Sequence, residues 1–255
     1  MEVVAGTFPG QHPPGGDDME IRHRETGEII FDSSGSSLAG GRFRGARLHH
    51  AELRGADLSG ADLQGADLCI ADLSGAALNG ANLTGVDLSG ATLSGAGLDG
   101  ALLADAKLPY VNLTNASLRH ANLTRATLRY VNARDAVFTD AVMPRSDLSY
   151  GSFPGADFTG AQLDEASLNF AVLAGATLRG ASLVCAVFIR TDLSGADLAD
   201  ADFMHAAFNE TDLGGANLAG ALFRRAVLGR CRHLDGARGV GEAVGLELAS
   251  VPARP

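Results

Sequence analysis

From Ser36 to Arg230 the chain reads in groups of five without one insertion: SSLAG, GRFRG, ARLHH, AELRG, ADLSG, and so on to AVLGR. The span holds 39 groups, and the third residue is Leu in 29 and Phe in 8, with Ala133 and Met143 the exceptions. The first residue is Ala in 30, and otherwise Ser, Gly, Val or Thr. Self-similarity of this strictness dictates the architecture before any other signal is read. A period of five matches neither the 3.6 of a helix nor the 2 of a flat strand. The chain must therefore turn every five residues. Side chains two apart on extended backbone share a face, so the first and third residues point inward and the other three outward. Those three are polar or turn-forming: Asp or Asn before the centre, then Ser, Thr, Arg or Gly. Gly fills the fifth position in 18 groups, and Pro154-Gly155 is the pair a type II turn prefers at its centre. The small inner residue implies a tight interior, and the natural architecture is a closed, stacked coil.

These A(D/N)LXX groups resemble the pentapeptide-repeat family over residues 36–230. The resemblance implies an all-β, right-handed quadrilateral β-helix with four groups per coil, hence nearly ten coils. At an inter-strand spacing of about 4.8 Å they make a rod roughly 45–50 Å long. Leu58, Leu83, Leu123, Phe138, Phe158 and Phe203 belong to the expected core stack. Members of the family include many scaffolds and a smaller group that resembles DNA in shape and charge, binds type II topoisomerases and protects them from quinolones or natural toxins. Some of that group dimerise through their C-terminal ends, so a homodimer stays open here.

A stacked coil has two ends that need covering. Residues 19–35 contain MEIRHRETGEIIF, alternating apolar and polar about a turn at Glu25-Thr26-Gly27-Glu28, which reads as a β-hairpin cap. Residues 1–18 read as a Pro/Gly-rich disordered leader, with Met19 a second candidate start. Beyond Leu228 the register slips, the repeat is expected to stop, and 231–255 read as a cap and tail. Val240, Val244 and Leu248 fall at helical spacing, pointing to a short helix within 236–250 that Gly239, Gly241 and Gly245 weaken.

With four groups per coil, residues 20 apart stack. One fifth-position column runs His50, Ile70, Gly90, Tyr110, Tyr130, Tyr150, Phe170, Arg190, Glu210, Arg230, and holds every Tyr of the protein. Two readings stay open: a ladder that ties neighbouring coils, or a docking surface for a protein partner. Arg125, Arg129 and Arg145 join the column as candidate contacts because they lie in the basic stretch 107–145, which has six Lys+Arg against Asp135 and Asp140. Residues 56–106 instead carry seven Asp and no Lys or Arg. Within them Asp57, Asp62, Asp67 and Asp72 place one carboxylate on each side of a coil, with Asp87 stacked on Asp67. These five are the candidate DNA-mimicking surface, with DNA gyrase or topoisomerase IV as the implied partner. The alternative is that Asp before Leu is the repeat consensus and serves solubility. Alternation of acidic and basic bands argues against a uniform mimic.

The formal charge of −10 argues against direct nucleic-acid or anionic-membrane binding. Three Cys form neither a disulfide framework nor a metal-ligand spacing, His49 and His50 are adjacent on a turn, and no phosphate loop or nucleophile elbow occurs. The expectation is a non-enzymatic, cytoplasmic protein without cofactor, metal or membrane. A self-associating structural rod remains a further alternative.

Overall fold

A computed structural model describes residues 19–33 and 37–246. The leader expected over 1–18 lies outside the described residues, as do 34–36 and 247–255. Strands β1 (Met19–His23) and β2 (Ile29–Ser33) form an antiparallel hairpin, and β1 continues antiparallel onto β3 (Ala51–Glu52) through Arg22↔Glu52 and His23↔Ala51. From Arg42↔Asp62 to Asp212↔Arg232 the described residues form one ladder of parallel bridges between residues 20 apart. It widens to the short parallel strands β4 (Val187–Ile189), β5 (Ala207–Asn209) and β6 (Val227–Gly229). No helix of the described residues is long and apolar enough to cross a membrane.

The core follows from the period. Leu58, Leu83, Leu123, Phe138, Phe158 and Phe203 are fully buried, and the small first-position residues, such as Ala61 and Ala81, are buried between them. Phenyl rings one coil apart lie face to face, Phe138 on Phe158 at 4.7 Å and Phe188 on Phe208 at 4.6 Å. Offset stacking of this kind adds to the area each ring buries.

Backbone bonding explains the outward positions. In each regular group the central N–H donates to the next coil (Leu58 to Ala77 O, 2.7 Å), the second to the previous coil (Asp62 to Gly41 O, 2.8 Å), and the fifth to the next (Gly60 to Asn79 O, 2.9 Å). The first closes the turn, as Ala61 N–H does to Leu58 O at 3.0 Å. That leaves the fourth-position N–H, and here the Asp or Asn before the centre acts. All sixteen second-position Asp and Asn accept it through Oδ1, at 2.9–3.4 Å. Where that residue is Gly97, Ser117, Ser182 or Val187, a fourth-position side chain one coil back substitutes: Asn79, Asp99, Asp164 and Asn169 reach Asp99, Arg119, Val184 and Ile189. The consensus carboxylate is therefore a backbone acceptor, a job Asn does without charge. Asp62→Asn is expected to melt within a degree or two of wild type, whereas Asp62→Ala loses about 1 kcal/mol, read as the midpoint shift in thermal circular dichroism.

Several of these carboxyls are held below the ordinary carboxylate range. Burial raises that of Asp157, but hydrogen bonds from the Thr159 hydroxyl and N–H and from the Thr139 hydroxyl outweigh it. A depressed folded pKa contributes stability above the unfolded value, and that stability is lost as pH falls through the folded one. Asp157→Asn should therefore lower the melting temperature at pH 7, and the gap to wild type should close below pH about 4, measured by melting across a pH series.

Every one of the 39 fifth positions has φ between +51° and +71°, the left-handed region. Eighteen are Gly; the other 21 carry side chains there, from Asp and Asn to Tyr and Ile70. With a positive φ third in a turn closed by the i+3 N–H, this is type II geometry, which favours Gly.

The C-terminal end corrects two expectations. The coil does not stop at 230: parallel bridges continue as Asp212↔Arg232, Asn217↔Arg238 and Leu222↔Val244. The offset grows from 20 to 21 to 22 because the side lengthens to six residues. Cys231, Ala237 and Ala243 pack inward, and His233, Gly239 and Gly245 take left-handed φ, all at spacing six. In place of a cap helix, the described residues have two single 3₁₀ turns, Leu234–Gly236 and Val240–Glu242. Gly239 at φ +69° and Gly245 at φ +79° interrupt any α-helix across 236–246.

Candidate interaction face

The columns do not share the decoration equally. One side carries Asp67, Asp87, Lys107, Thr127 and Asp147 along its bridges. Its fourth positions include His49, Cys69 and Arg129, and its corner is the column that holds the Tyr residues. At that corner the Tyr110, Tyr130, Tyr150 and Phe170 rings stack at 4.9, 5.0 and 4.8 Å, with interplanar angles of 4°, 19° and 3°. All four remain solvent-accessible, at 67, 42, 41 and 38%. The 20-residue repeat and the shared backbone conformation aim each ring along the same direction one strand spacing above the last. Arg129 lies 5.6 Å from the Tyr130 ring and 5.2 Å from that of Tyr150, and donates to Asp147 Oδ2 at 3.2 Å. Arg190 lies 5.9 Å from the Phe170 ring and donates to Glu210 at 2.7 Å. The result is a flat aromatic strip flanked by cations whose charge is partly met.

Arg125 and Arg145 do not join this strip. They stand at the preceding corner of the coil, where Arg125 grips Asp105 through two bonds of 2.7 and 2.6 Å and Arg145 grips Glu165 through two of 2.9 and 3.0 Å. Their guanidinium pKa values rise further through those bonds. Three of the basic belt's arginines are thus rungs of ion-pair ladders rather than a free positive patch.

The acidic candidates sit on four different sides, and all are backbone acceptors as described. Arg54 pairs with Asp72 at 2.5 Å and also lies 3.7 Å from Glu52, easing the repulsion between these two carboxylates, which bridge one coil apart. Lys107 reaches Asp87 at 3.4 Å and His49 reaches Asp67 at 3.8 Å. Asp57 and Asp62 have no ion pair among the described residues. Hydrogen bonds from the Ser59 hydroxyl and N–H hold Asp57 below its ordinary range.

At the N-terminal end the hairpin turn leans on the same decorated corner. Arg24 N–H donates to His50 O at 2.8 Å, its guanidinium donates to Ile70 O at 2.9 Å, and the His23 and His50 rings stack at 4.9 Å. Just beyond, Cys69 Sγ lies 3.1 Å from Asp87 Oδ1. Burial, with Asp87 and Asp67 beside it, pushes the thiol up to about 12. Neither the left-handed corners nor this convergence was read from the sequence. Reading the fourth positions 20 apart aligns His49 with Cys69, but neither the φ of the corners nor the hairpin contacts are visible that way.

The family described as Pentapeptide repeats matches the chain in eight copies, over residues 34–69, 71–108, 96–140, 121–160, 145–180, 161–200, 171–209 and 201–232. Among solved structures the chain is similar to HetL, a pentapeptide repeat protein involved in heterocyst differentiation regulation from the cyanobacterium Nostoc sp. strain PCC 7120. The two are 30% identical over 80% of this chain and 83% of that one, with a TM-score of 0.32. It is also similar to a trypsin-treated form of QnrB1, a plasmid-mediated fluoroquinolone resistance protein, at 17% identity over 69% and 86%, TM-score 0.48. A third is a pentapeptide repeat protein from the Arabidopsis thaliana thylakoid lumen, at 26% over 58% and 69%, TM-score 0.24. A search of curated proteins finds no match. The repeat-by-repeat match across residues 34–232 shows that the chain belongs to the pentapeptide-repeat family.

Proposed function

We propose that this chain is a non-enzymatic, rigid interaction rod that docks a protein partner through the face bearing Tyr110, Tyr130, Tyr150 and Phe170, with Arg129 at its flank. The reading includes a right-handed coil of nearly ten turns, an N-terminal cap made by the hairpin, and a cytoplasmic location. One observation carries it: four large aromatic side chains stay exposed on consecutive rungs at corners whose positive φ would suit Gly without strain. Twenty-one of the 39 corners carry a side chain at that φ, so the exposed aromatic run, rather than the backbone conformation, sets this column apart. Aromatic side chains and Arg are also the residues that dominate binding energy at protein interfaces.

A second reading, DNA mimicry toward DNA gyrase or topoisomerase IV, is favoured by Asp57 and Asp62, which carry no ion pair among the described residues, and by the absence of Lys and Arg from 56–106. It is weakened by the backbone role of every carboxylate in that coil.

Titration into bacterial gyrase supercoiling, with and without a fluoroquinolone, separates the two. Three proteins are compared: wild type, Tyr110/Tyr130/Tyr150→Ser, and Asp57/Asp62/Asp67/Asp72→Asn, which keeps the acceptors and removes four charges. Under mimicry, the Asn protein loses inhibition or drug rescue and the Ser protein retains it. Under face docking with gyrase as partner, the pattern reverses. No effect from wild type removes gyrase as the partner, and the docking reading itself fails if the Ser protein binds every partner that wild type binds.

A further inference from the structure

We propose that His49, Asp67, Cys69 and Asp87 form a binding site for a divalent transition-metal ion of the zinc class, linking three successive coils on the decorated face. The four residues are far apart in sequence but come from rungs directly above one another, through the bridges Arg47↔Asp67 and Asp67↔Asp87. One donor atom each from His49, Asp67 and Cys69 lie within 4.8 Å of one another. His49 Nδ1 stands 3.8 Å from Asp67 Oδ1, and Cys69 Sγ 3.1 Å from Asp87 Oδ1. A tetrahedral ion with bonds of about 2.0–2.3 Å has donor-to-donor edges of about 3.3–3.7 Å, so rotamer adjustments of about an ångström bring His49, Asp67 and Cys69 to that spacing, with Asp87 beside Cys69. His49 is exposed and the other three are half-buried, which leaves them free to adjust and open to solvent.

The electrostatics point the same way. Asp67 and Asp87 stack as like charges, and each accepts a backbone N–H through Oδ1, from Cys69 and Ser89 respectively, the Ser89 hydroxyl also donating to Asp87 Oδ1, so each carboxylate has its second oxygen to offer an ion. The cation facing the pair across its own column is Lys107, 3.4 Å from Asp87 Oδ2 and well exposed. Arg47 occupies the rung before Asp67, His50 packs edge-on to His49 at 4.3 Å, and Glu25 of the hairpin lies 3.5 Å from His50 Nδ1. A divalent ion neutralises the stacked carboxylates more completely than one mobile lysine. Imidazole and thiolate donors select a borderline ion such as Zn2+ over Mg2+ or Ca2+. On binding, the Cys69 S–H bond breaks, a sulfur–metal bond forms, and the proton leaves to solvent.

The test uses Co2+ as probe on the full, reduced chain carrying Cys185→Ser and Cys231→Ser, so that Cys69 is its one thiol. The expected result is a near-ultraviolet sulfur-to-cobalt charge-transfer band saturating at one equivalent, release of one proton, and loss of the band on adding Zn2+. Cys69→Ser should abolish the band, and Asp87→Asn or His49→Ala should weaken Zn2+ binding at least about tenfold. Melting of each variant without metal, matching its parent, separates lost ligation from lost folding. Absence of the band at excess Co2+, or its persistence in Cys69→Ser, overturns the site.

Discussion

Leu123→Asp is expected to lower the melting temperature by more than about 10 °C at pH 8, and limited proteolysis should then cut first between residues 101 and 145. Leu123 is fully buried at the middle of the rod, its N–H bonded to Val142 O at 2.7 Å and its carbonyl accepting Ala126 N–H at 2.9 Å. The backbone cannot swing the side chain out without opening both the inter-coil ladder and the turn. Removing a buried Leu side chain alone costs about 2–5 kcal/mol, and an unpaired carboxylate adds the cost of leaving water. Each kcal/mol moves the midpoint of a chain this long by about 2–4 °C. Because coils contact only their neighbours, damage stays local before it becomes global. The buried carboxyl would be pushed up, so the deficit should shrink at pH 5, where it enters the core neutral. Leu123→Met, which conserves volume, should cost under about 1.5 kcal/mol. If the Asp variant melts within 5 °C of wild type, the central Leu does not hold the coil together in the way argued.

How much of this was legible beforehand depends on whether the physical cause acts inside one group of five or across coils. The buried centres and small first residues, from Leu58 to Phe203, were legible because burial repeats with the period itself. The role of Asp57 or Asp62 was not. Its charge is visible in the sequence, but the bond that explains it goes to a backbone N–H two residues on, which no residue type advertises. The corner conformation was half legible. Gly at the fifth position hinted at positive φ, yet Tyr, Arg and Ile at the same place concealed that all 39 corners share it. At the C-terminus the change of period from five to six misled. Val240 and Val244 are four apart, as on a helix, while the true repeat is carried by Ala237 with Ala243 and Gly239 with Gly245. The Arg belt misled for another reason: linear charge counts cannot see that Asp105 and Glu165 meet Arg125 and Arg145 from adjacent coils.

The aromatic face has the sharpest functional prediction. Tyr110/Tyr130/Tyr150→Ser removes the three ring contacts Tyr110–Tyr130, Tyr130–Tyr150 and Tyr150–Phe170 and strands Arg129, which sits against two of the rings. Ser must still occupy the left-handed corner, so backbone strain is nearly unchanged and the melting shift reads the stack itself. At about 0.5–1.5 kcal/mol for each aromatic pair and about 0.5–1 kcal/mol for the cation–π contact, the loss is about 2–5 kcal/mol, a fall of roughly 4–20 °C. Docking requires more than this. Aromatic anchors at an interface cost about 2 kcal/mol or more each when truncated, so the triple variant should bind its partner at least about a hundredfold more weakly while its coil remains folded below the new midpoint. The matching Phe triple variant divides the two roles within one residue type. It keeps ring stacking, so its melting temperature should stay within a few degrees of wild type, while any partner that hydrogen-bonds the hydroxyls loses affinity. A Ser variant that melts lower yet binds as tightly as wild type would make the strip a stabilising ladder alone, since rings that leave affinity unchanged on removal are not contacting the partner.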